Sequence, residues 1–146
     1  MPENKIDHLP EALTAKLSNW EDFEINTRST DELSIPTNGI SFYIMRIARA
    51  IIVHGDKEFF IGRTGQESST ELMVDFEGFG GFLMGVSRRH AMIRPVKDGY
   101  EITDLSSRNG TWLDGQRLFP NKAYPMASGE KLRIGRERLL VRYRSR

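Results

Sequence analysis

Apolar and polar positions change rhythm once along the chain, near Ile40. Before it, Leu9, Leu13, Leu17 and Trp20 recur every three or four residues, the spacing of one face of an α-helix. Pro10 suits a first helical turn. The pattern predicts a short amphipathic helix over 9–20, whose apolar stripe needs cover from the domain behind it or from another protein. Residues 21–39 are polar and interrupted by Pro36 and Asn38-Gly39, which reads as a linker. Beyond Ile40, β-rich runs take over at 41–47, 50–53, 58–61, 90–94, 100–104, 111–113, 131–134 and 138–143. Asp98-Gly99, Asn109-Gly110, Asp114-Gly115 and Ser128-Gly129 punctuate them as tight-turn dipeptides. Short strands, frequent turns and no long helical period predict an all-β antiparallel sandwich. The chain therefore divides into an arm, 1–39, and a domain, 40–146.

One segment breaks the strand rhythm. Residues 64–86 hold Leu72-Met73-Val74, then Phe76, Phe79, Phe82 and Met84 among several glycines. A connection so long and apolar is expected to pack back on the fold, with one strand near 72–75 and a glycine-rich rim. At the C-terminal end, basic residues largely alternate with Leu132, Ile134, Leu139, Val141 and Tyr143. That alternation places the arginines toward solvent. Trp112, by contrast, is expected in the core.

Composition narrows the function classes. The 146 residues are 38% hydrophobic and 28% charged, enough for a real core and against wholesale disorder. No stretch approaches the ~20 apolar residues of a membrane span, and the N-terminus has no signal-peptide pattern. Cysteine is absent, which removes disulfides and thiolate metal sites. His8, His54 and His90 are too scattered for a metal cage, so neither metal nor cofactor is expected. A cytoplasmic location is the default. The net charge of +1 conceals an asymmetry: residues 1–40 carry eight Asp/Glu and three Lys/Arg, residues 41–146 twelve and eighteen. Two solvated surfaces would explain this, as would an acidic arm lying at times on a basic face.

The candidate chemistry sits in three clusters between predicted strands: Gly62-Arg63, Ser87-Arg88-Arg89-His90, and Ser106-Ser107-Arg108-Asn109-Gly110-Thr111. They supply guanidinium, hydroxyl, amide and glycine-freed N–H donors, without a partnered nucleophile. Such a set suits holding a phosphate rather than transforming one. With Phe60-Ile61-Gly62-Arg63, Val86 to Ala91, Asp104 to Gly115 and Gly129 to Gly135 standing in this order, the chain from about Phe42 to Tyr143 resembles a forkhead-associated (FHA) domain.

The resemblance implies an eleven-stranded sandwich of the SMAD/FHA type that binds phosphothreonine peptides. Arg63 and Ser87 would contact the phosphate and Arg88 would assist. Asn109 would hold the peptide main chain. Where the family often has threonine before that asparagine, this chain has Arg108, a departure that exchanges a hydroxyl for a charge; Ser107 could supply an oxygen nearby. Gly62, His90, Gly110 and Thr111 are expected to support the site structurally, and Arg89 to point away. The partner implied is a phosphothreonine protein, a Ser/Thr kinase or its substrate. The loop before Ser87, Phe82-Leu83-Met84-Gly85-Val86, offers no charge. An apolar residue three places after the phosphothreonine should suit it.

Other readings are weaker on the residues. Gly85-Val86-Ser87-Arg88-Arg89 lacks the final glycine of a nucleophile elbow, so no enzyme is expected. The basic C-terminus lacks the interleaved aromatics of a nucleic-acid surface. Two non-catalytic alternatives stand: a phospho-independent scaffold, or a switch in which a phosphorylated Thr27, Thr30 or Thr37 of the arm occupies the chain's own site. The motifs do not encode the oligomeric state.

Overall fold

Burial alternates along most of the β-runs, and that alternation builds two sheets packed face to face. The computed structural model describes residues 35–65 and 72–144; the helix expected over 9–20 lies outside them. Eleven strands form: β1 (Gly39–Ile44), β2 (Arg49–His54), β3 (Phe59–Gly62), β4 (Met73–Asp75), β5 (Arg89–Val96), β6 (Gly99–Asp104), β7 (Thr111–Leu113), β8 (Gln116–Arg117), β9 (Ala123–Met126), β10 (Lys131–Ile134) and β11 (Glu137–Arg142). One sheet runs β2-β1-β11-β10-β7-β8 and the other β4-β3-β5-β6-β9.

The core fills the space between the sheets. Phe42 and Ile44 of β1, Leu132 and Ile134 of β10, and Leu139 and Val141 of β11 face Phe59 and Ile61 of β3, Ile93 of β5 and Ile102 of β6. The Phe42 and Phe59 rings meet edge to face at 5.9 Å. A second, separate buried cluster forms from Tyr43, Met45 and Leu140. Tyr43 and Leu140 are neighbours in register beside the inward pairs Phe42–Val141 and Ile44–Leu139. They therefore lie on the outer face of the six-stranded sheet.

Three features differ from the sequence expectation. β4 pairs parallel to β3, with Phe60 opposite Met73, whereas the sandwich was expected to be antiparallel throughout. A parallel neighbour needs a crossover rather than a hairpin, and the connection after Gly62 supplies it. β8 and β9 were not anticipated. Trp112 is half-buried on the outer face, its ring 3.7 Å from Arg133 Cζ and 5.0 Å from Arg117 Cζ. Thr111 and Leu113 take the inward positions on either side of it, so alternation alone sends Trp112 outward.

The register places several loops at one end of the sandwich. β3 ends at Gly62 opposite Arg89, where β5 begins. β6 ends at Asp104 opposite Ala91. β7 starts at Thr111 opposite Ile134, where β10 ends. The loops after β3, before β5, after β6 and between β10 and β11 are thus neighbours in space. These loops carry the three donor clusters.

Candidate functional site

Arg63 follows β3 directly, and its position is set by a close backbone approach. The pairing of β3 with β5 is irregular between Ile61 and Gly62, and Arg63 N–H donates to Arg88 O at 3.0 Å. A Cβ at Gly62 would sit 1.9 Å from that same carbonyl oxygen, so no other residue fits there. The Arg63 guanidinium is anchored through Nε, which donates to Val86 O at 2.8 Å. Its Cζ lies 4.9 Å from the Phe82 ring. Nη1 stands 3.7 Å from Glu77 Oε1, beyond hydrogen-bond distance but close enough to feel the charge. This anchor holds the guanidinium beside Val86 and Ser87, at the mouth between the loops.

Ser87, Arg108 and Asn109 complete that mouth. Ser87 Oγ accepts from Arg108 N–H at 3.0 Å, which leaves its O–H free to donate. Asn109 Nδ2 donates to Gly85 O at 3.0 Å, tying the loop after β6 to the loop before β5. The Arg88, Arg108 and Asn109 side chains are exposed. Arg88 lies against the backbone of Gly65, where a Cβ would stand 3.1 Å from Arg88 Cζ. Arg89 points away, its Cζ 4.4 Å above the Phe60 ring. The mouth therefore gathers three guanidinium-bearing residues, one hydroxyl and one amide. Among the described residues, Glu77 is the acidic group paired with Arg63.

Buried groups behind the mouth hold it in shape. His90 is fully buried; its Nδ1 accepts from Ser87 N–H at 3.0 Å, and its Nε2 lies 2.8 Å from Gly110 O. With Nδ1 accepting, Nε2 must carry the proton and donate, so the ring bridges two clusters in its neutral form. Burial pushes the His90 pKa below the usual histidine range, against smaller opposing effects of the Gly110 carbonyl and the Asp104 charge. Asp104, also buried, accepts from Ser107 Oγ at 2.5 Å and Thr111 Oγ1 at 2.7 Å. Gly110 N–H in turn donates to Ser107 Oγ at 3.0 Å.

These bonds sort the anticipated residues. Arg63, Ser87, Arg88, Arg108 and Asn109 border one mouth, while Gly62, His90, Gly110 and Thr111 lie behind it. Ser107 departs from the expectation that grouped it with the contacts: its hydroxyl is spent on Asp104 and Gly110, closing the turn rather than facing a ligand. Asp104 was read only as the start of a motif and given no role, although an aspartate three residues before a serine is the pattern of a side chain capping its own turn. Asp75 does comparable work after β4. It accepts from Thr64 N–H at 3.0 Å, Thr64 Oγ1 at 2.9 Å and Glu77 N–H at 2.9 Å. Nothing in the local sequence links residue 64 to residue 75; only the parallel pairing brings them together.

The opposite sheet clasps the loop before β5. Glu137, fully buried at the start of β11, pairs with Arg46 at 2.8 Å, and Arg46 also donates to Phe79 O. Arg136 donates from its backbone to Met84 O at 2.8 Å and from its side chain to Leu83 O. Phe82 and Leu83 nevertheless stay 69% and 72% exposed beside the mouth.

Known proteins match this arrangement. The FHA domain family profile matches residues 59–135, just over half of the chain. The oxoglutarate dehydrogenase inhibitor of Corynebacterium jeikeium is 38% identical over 55 residues, covering 38% of this chain and 36% of that protein. The matched segments span between a tenth and about a third of the curated relatives' lengths. Among solved structures, the FhaA FHA domain complexed with the intracellular domain of Rv3910 is 25% identical, with a TM-score of 0.50, covering 70% of this chain and 99% of that one. A structure from a study of phosphothreonine-dependent FHA domain interactions shares the fold at 24% identity and a TM-score of 0.54, covering 72% and 96%. With its two-sheet topology and with the family profile spanning the loops that form the mouth, the chain belongs to the FHA domain family.

Proposed function

We propose that the chain is a phosphothreonine-peptide recognition module that joins proteins reversibly in Ser/Thr-kinase signalling and carries out no chemistry. The observation that carries this reading is the meeting of the anchored Arg63 guanidinium with Ser87, Arg108 and Asn109 at one mouth. A phosphate monoester brings about −1.5 to −2 charge and three acceptor oxygens at neutral pH. Arg63 would take it bidentately, Ser87 and Arg108 would add donors, and Asn109 would hold the peptide main chain. Three or four charged hydrogen bonds of about 1.5–3 kcal/mol each, set against the cost of association, correspond to affinities near micromolar. The phosphothreonine-dependent interactions of the structural neighbour support the same reading.

His90 is not disposed as a base for the Ser87 hydroxyl: its Nδ1 is occupied by the Ser87 backbone N–H and its Nε2 is turned to Gly110 O, which supports a binding role. Threonine over serine follows from one buried methyl, about 0.8 kcal/mol, together with the stiffer χ1 that pre-sets the phosphate direction.

The test is a calorimetric titration with one peptide in three forms. The phosphothreonine form should bind near micromolar, the phosphoserine form more weakly, and the unphosphorylated form not measurably. Arg63→Ala should weaken the first by about a hundredfold, equal to two charged hydrogen bonds lost, with the melting temperature nearly unchanged. Equal affinity for the phosphorylated and plain peptides would favour the phospho-independent scaffold instead.

A further inference from the structure

The two sheets end in the edge strands β2, β8, β4 and β9, and three of these are blunted against further pairing. β8 has two residues, β4 has three, and β9 carries Pro125. β2 differs. Its six residues include no proline, pair with β1 without a bulge, and hold no charge between Arg49 and His54. Among the described residues, β2 pairs with β1 alone. Gly55 N–H donates to Asn38 O at 3.1 Å, which makes Gly39–His54 a non-hydrogen-bonded pair of the antiparallel ladder. Alternation then commits the backbone groups of Arg49, Ile51 and Val53 to β1. Those of Ala50, Ile52 and His54 point away from the sheet, and Ile52 is 39% exposed. A row of open N–H and C=O groups is matched by another extended strand.

We propose that this edge pairs with β2 of a second copy of the chain, antiparallel and about a twofold axis at Ile52. The strand is self-complementary in that register. Ile52 meets the partner's Ile52 and Ala50 meets the partner's His54, so every outward-pointing backbone group of the strand finds a match. On the inward face Ile51 meets the partner's Val53, which continues the layer these two residues already pack against the core. Arg49 meets the partner's Gly55, with the partner's Asp56 next along, so no charge faces its like. Sliding one strand by two residues leaves an outward pair unmatched. A single strand pair buries less than the roughly 1,200 Å² of a standard interface, so the dimer is weak and depends on concentration. The turn between β1 and β2 carries Arg46, which reaches Glu137 and Phe79 O beside the mouth. Antiparallel pairing therefore points the two mouths in opposite directions and leaves both open.

Sedimentation equilibrium on the full chain, up to about millimolar, should show a reversible monomer–dimer equilibrium. Ile52→Lys sets two like charges opposite each other and should raise the dissociation constant at least tenfold, as should Ile52→Glu. An equimolar mixture of the two variants should associate at least tenfold more tightly than either alone, because residue 52 meets its own counterpart. Melting temperatures close to the wild type would show that both variants fold. Because the chain has no cysteine, Ile52→Cys should give a disulfide-linked dimer under mild oxidation, and Gln116→Cys on the β8 edge should not. A chain that stays monomeric at every concentration would overturn the proposal and leave the edge to a strand of a different protein. A dimer that Ile52→Lys leaves intact, or a mixture no tighter than its parts, would overturn it equally.

Discussion

Arg63 works between an attraction and a competitor. Glu77 Oε1 lies 3.7 Å from its Nη1 and also accepts from Gly65 N–H at 3.0 Å, so the carboxylate helps fix the loop while opposing an incoming dianion. Glu77→Gln keeps an acceptor for Gly65 and removes the charge. Phosphopeptide affinity should rise about two- to fivefold, the range of an exposed ion pair, and the gain should shrink in high salt. Titration at two ionic strengths checks both parts. A loss of affinity would mean that Glu77 holds Arg63 in place rather than competing for it.

His90 offers a second test on this scale. Its pKa is lowered in the folded chain by burial, so between that value and the unfolded value of about 6.5 the unfolded chain binds more protons. By linkage, stability is intact above about pH 6.5 and declines as pH falls through that window. Protonation would also place a hydrogen on Nδ1, against the Ser87 N–H that now donates to it. Melting temperatures from pH 7.5 to 5 should therefore drop more steeply for the wild type than for His90→Gln. The variant should be less stable at pH 7.5, because it leaves the Ser87 N–H or Gly110 O without a partner, a loss of about 1–3 kcal/mol.

The element expected to set peptide preference is the loop before β5, and its shape is imposed from the other sheet. Gly135 packs so closely that a Cβ there would stand 2.6 Å from Gly85 O, while Arg136 holds Met84 O and Leu83 O. Gly85 has φ +78, and a Cβ on it would meet Asn109 Nδ2 at 2.8 Å. Gly85→Ala should therefore do more than strain the turn by roughly 1–2 kcal/mol. It should push Asn109 off the Gly85 carbonyl and cost phosphopeptide binding at least tenfold, with a melting point lowered by only a few degrees. With the loop held in this way, the exposed Phe82 and Leu83 should select an apolar residue three places after the phosphothreonine. A phosphopeptide library should show that enrichment, and Phe82→Ser with Leu83→Ser should flatten it while sparing affinity for the phosphate itself. The sequence exposed this loop only in part. Its composition marked it as packed, and Met73–Asp75 did form a strand, but the clasp joins residues 46, 79, 83, 84, 136 and 137, whose association depends on tertiary pairing. β8 was too short for any periodicity to reveal. β9 hid behind Pro125, which normally argues against a strand and is tolerated here because β9 lies at the sheet edge.

Taken whole, the molecule was most legible where local chemistry and tertiary structure agree: the alternating strands, the glycine turns and the donor clusters needed no distant partner to be seen. The outward placement of Trp112 and the inward placement of the Ser107 hydroxyl were not legible, because each depends on which face a neighbouring strand or turn presents. The same division should appear in binding kinetics. Residues 41–146 carry six more basic than acidic side chains, so an anionic phosphopeptide is drawn in by a field that acts over a Debye length, about 10 Å at 0.1 M salt. The contacts at the mouth act at 3 Å or so and are made only after encounter. Raising salt from 0.05 to 0.5 M should therefore lower the association rate by about tenfold or more and change the dissociation rate little. Asn109→Ala should do the reverse, quickening dissociation while association keeps its salt slope. Stopped-flow mixing with a fluorescent phosphothreonine peptide separates the two rates. If salt acted mainly on dissociation, the guanidinium contacts at the mouth would be solvent-screened rather than pre-set, and the anchoring of Arg63 through Val86 would have no role in holding the ligand.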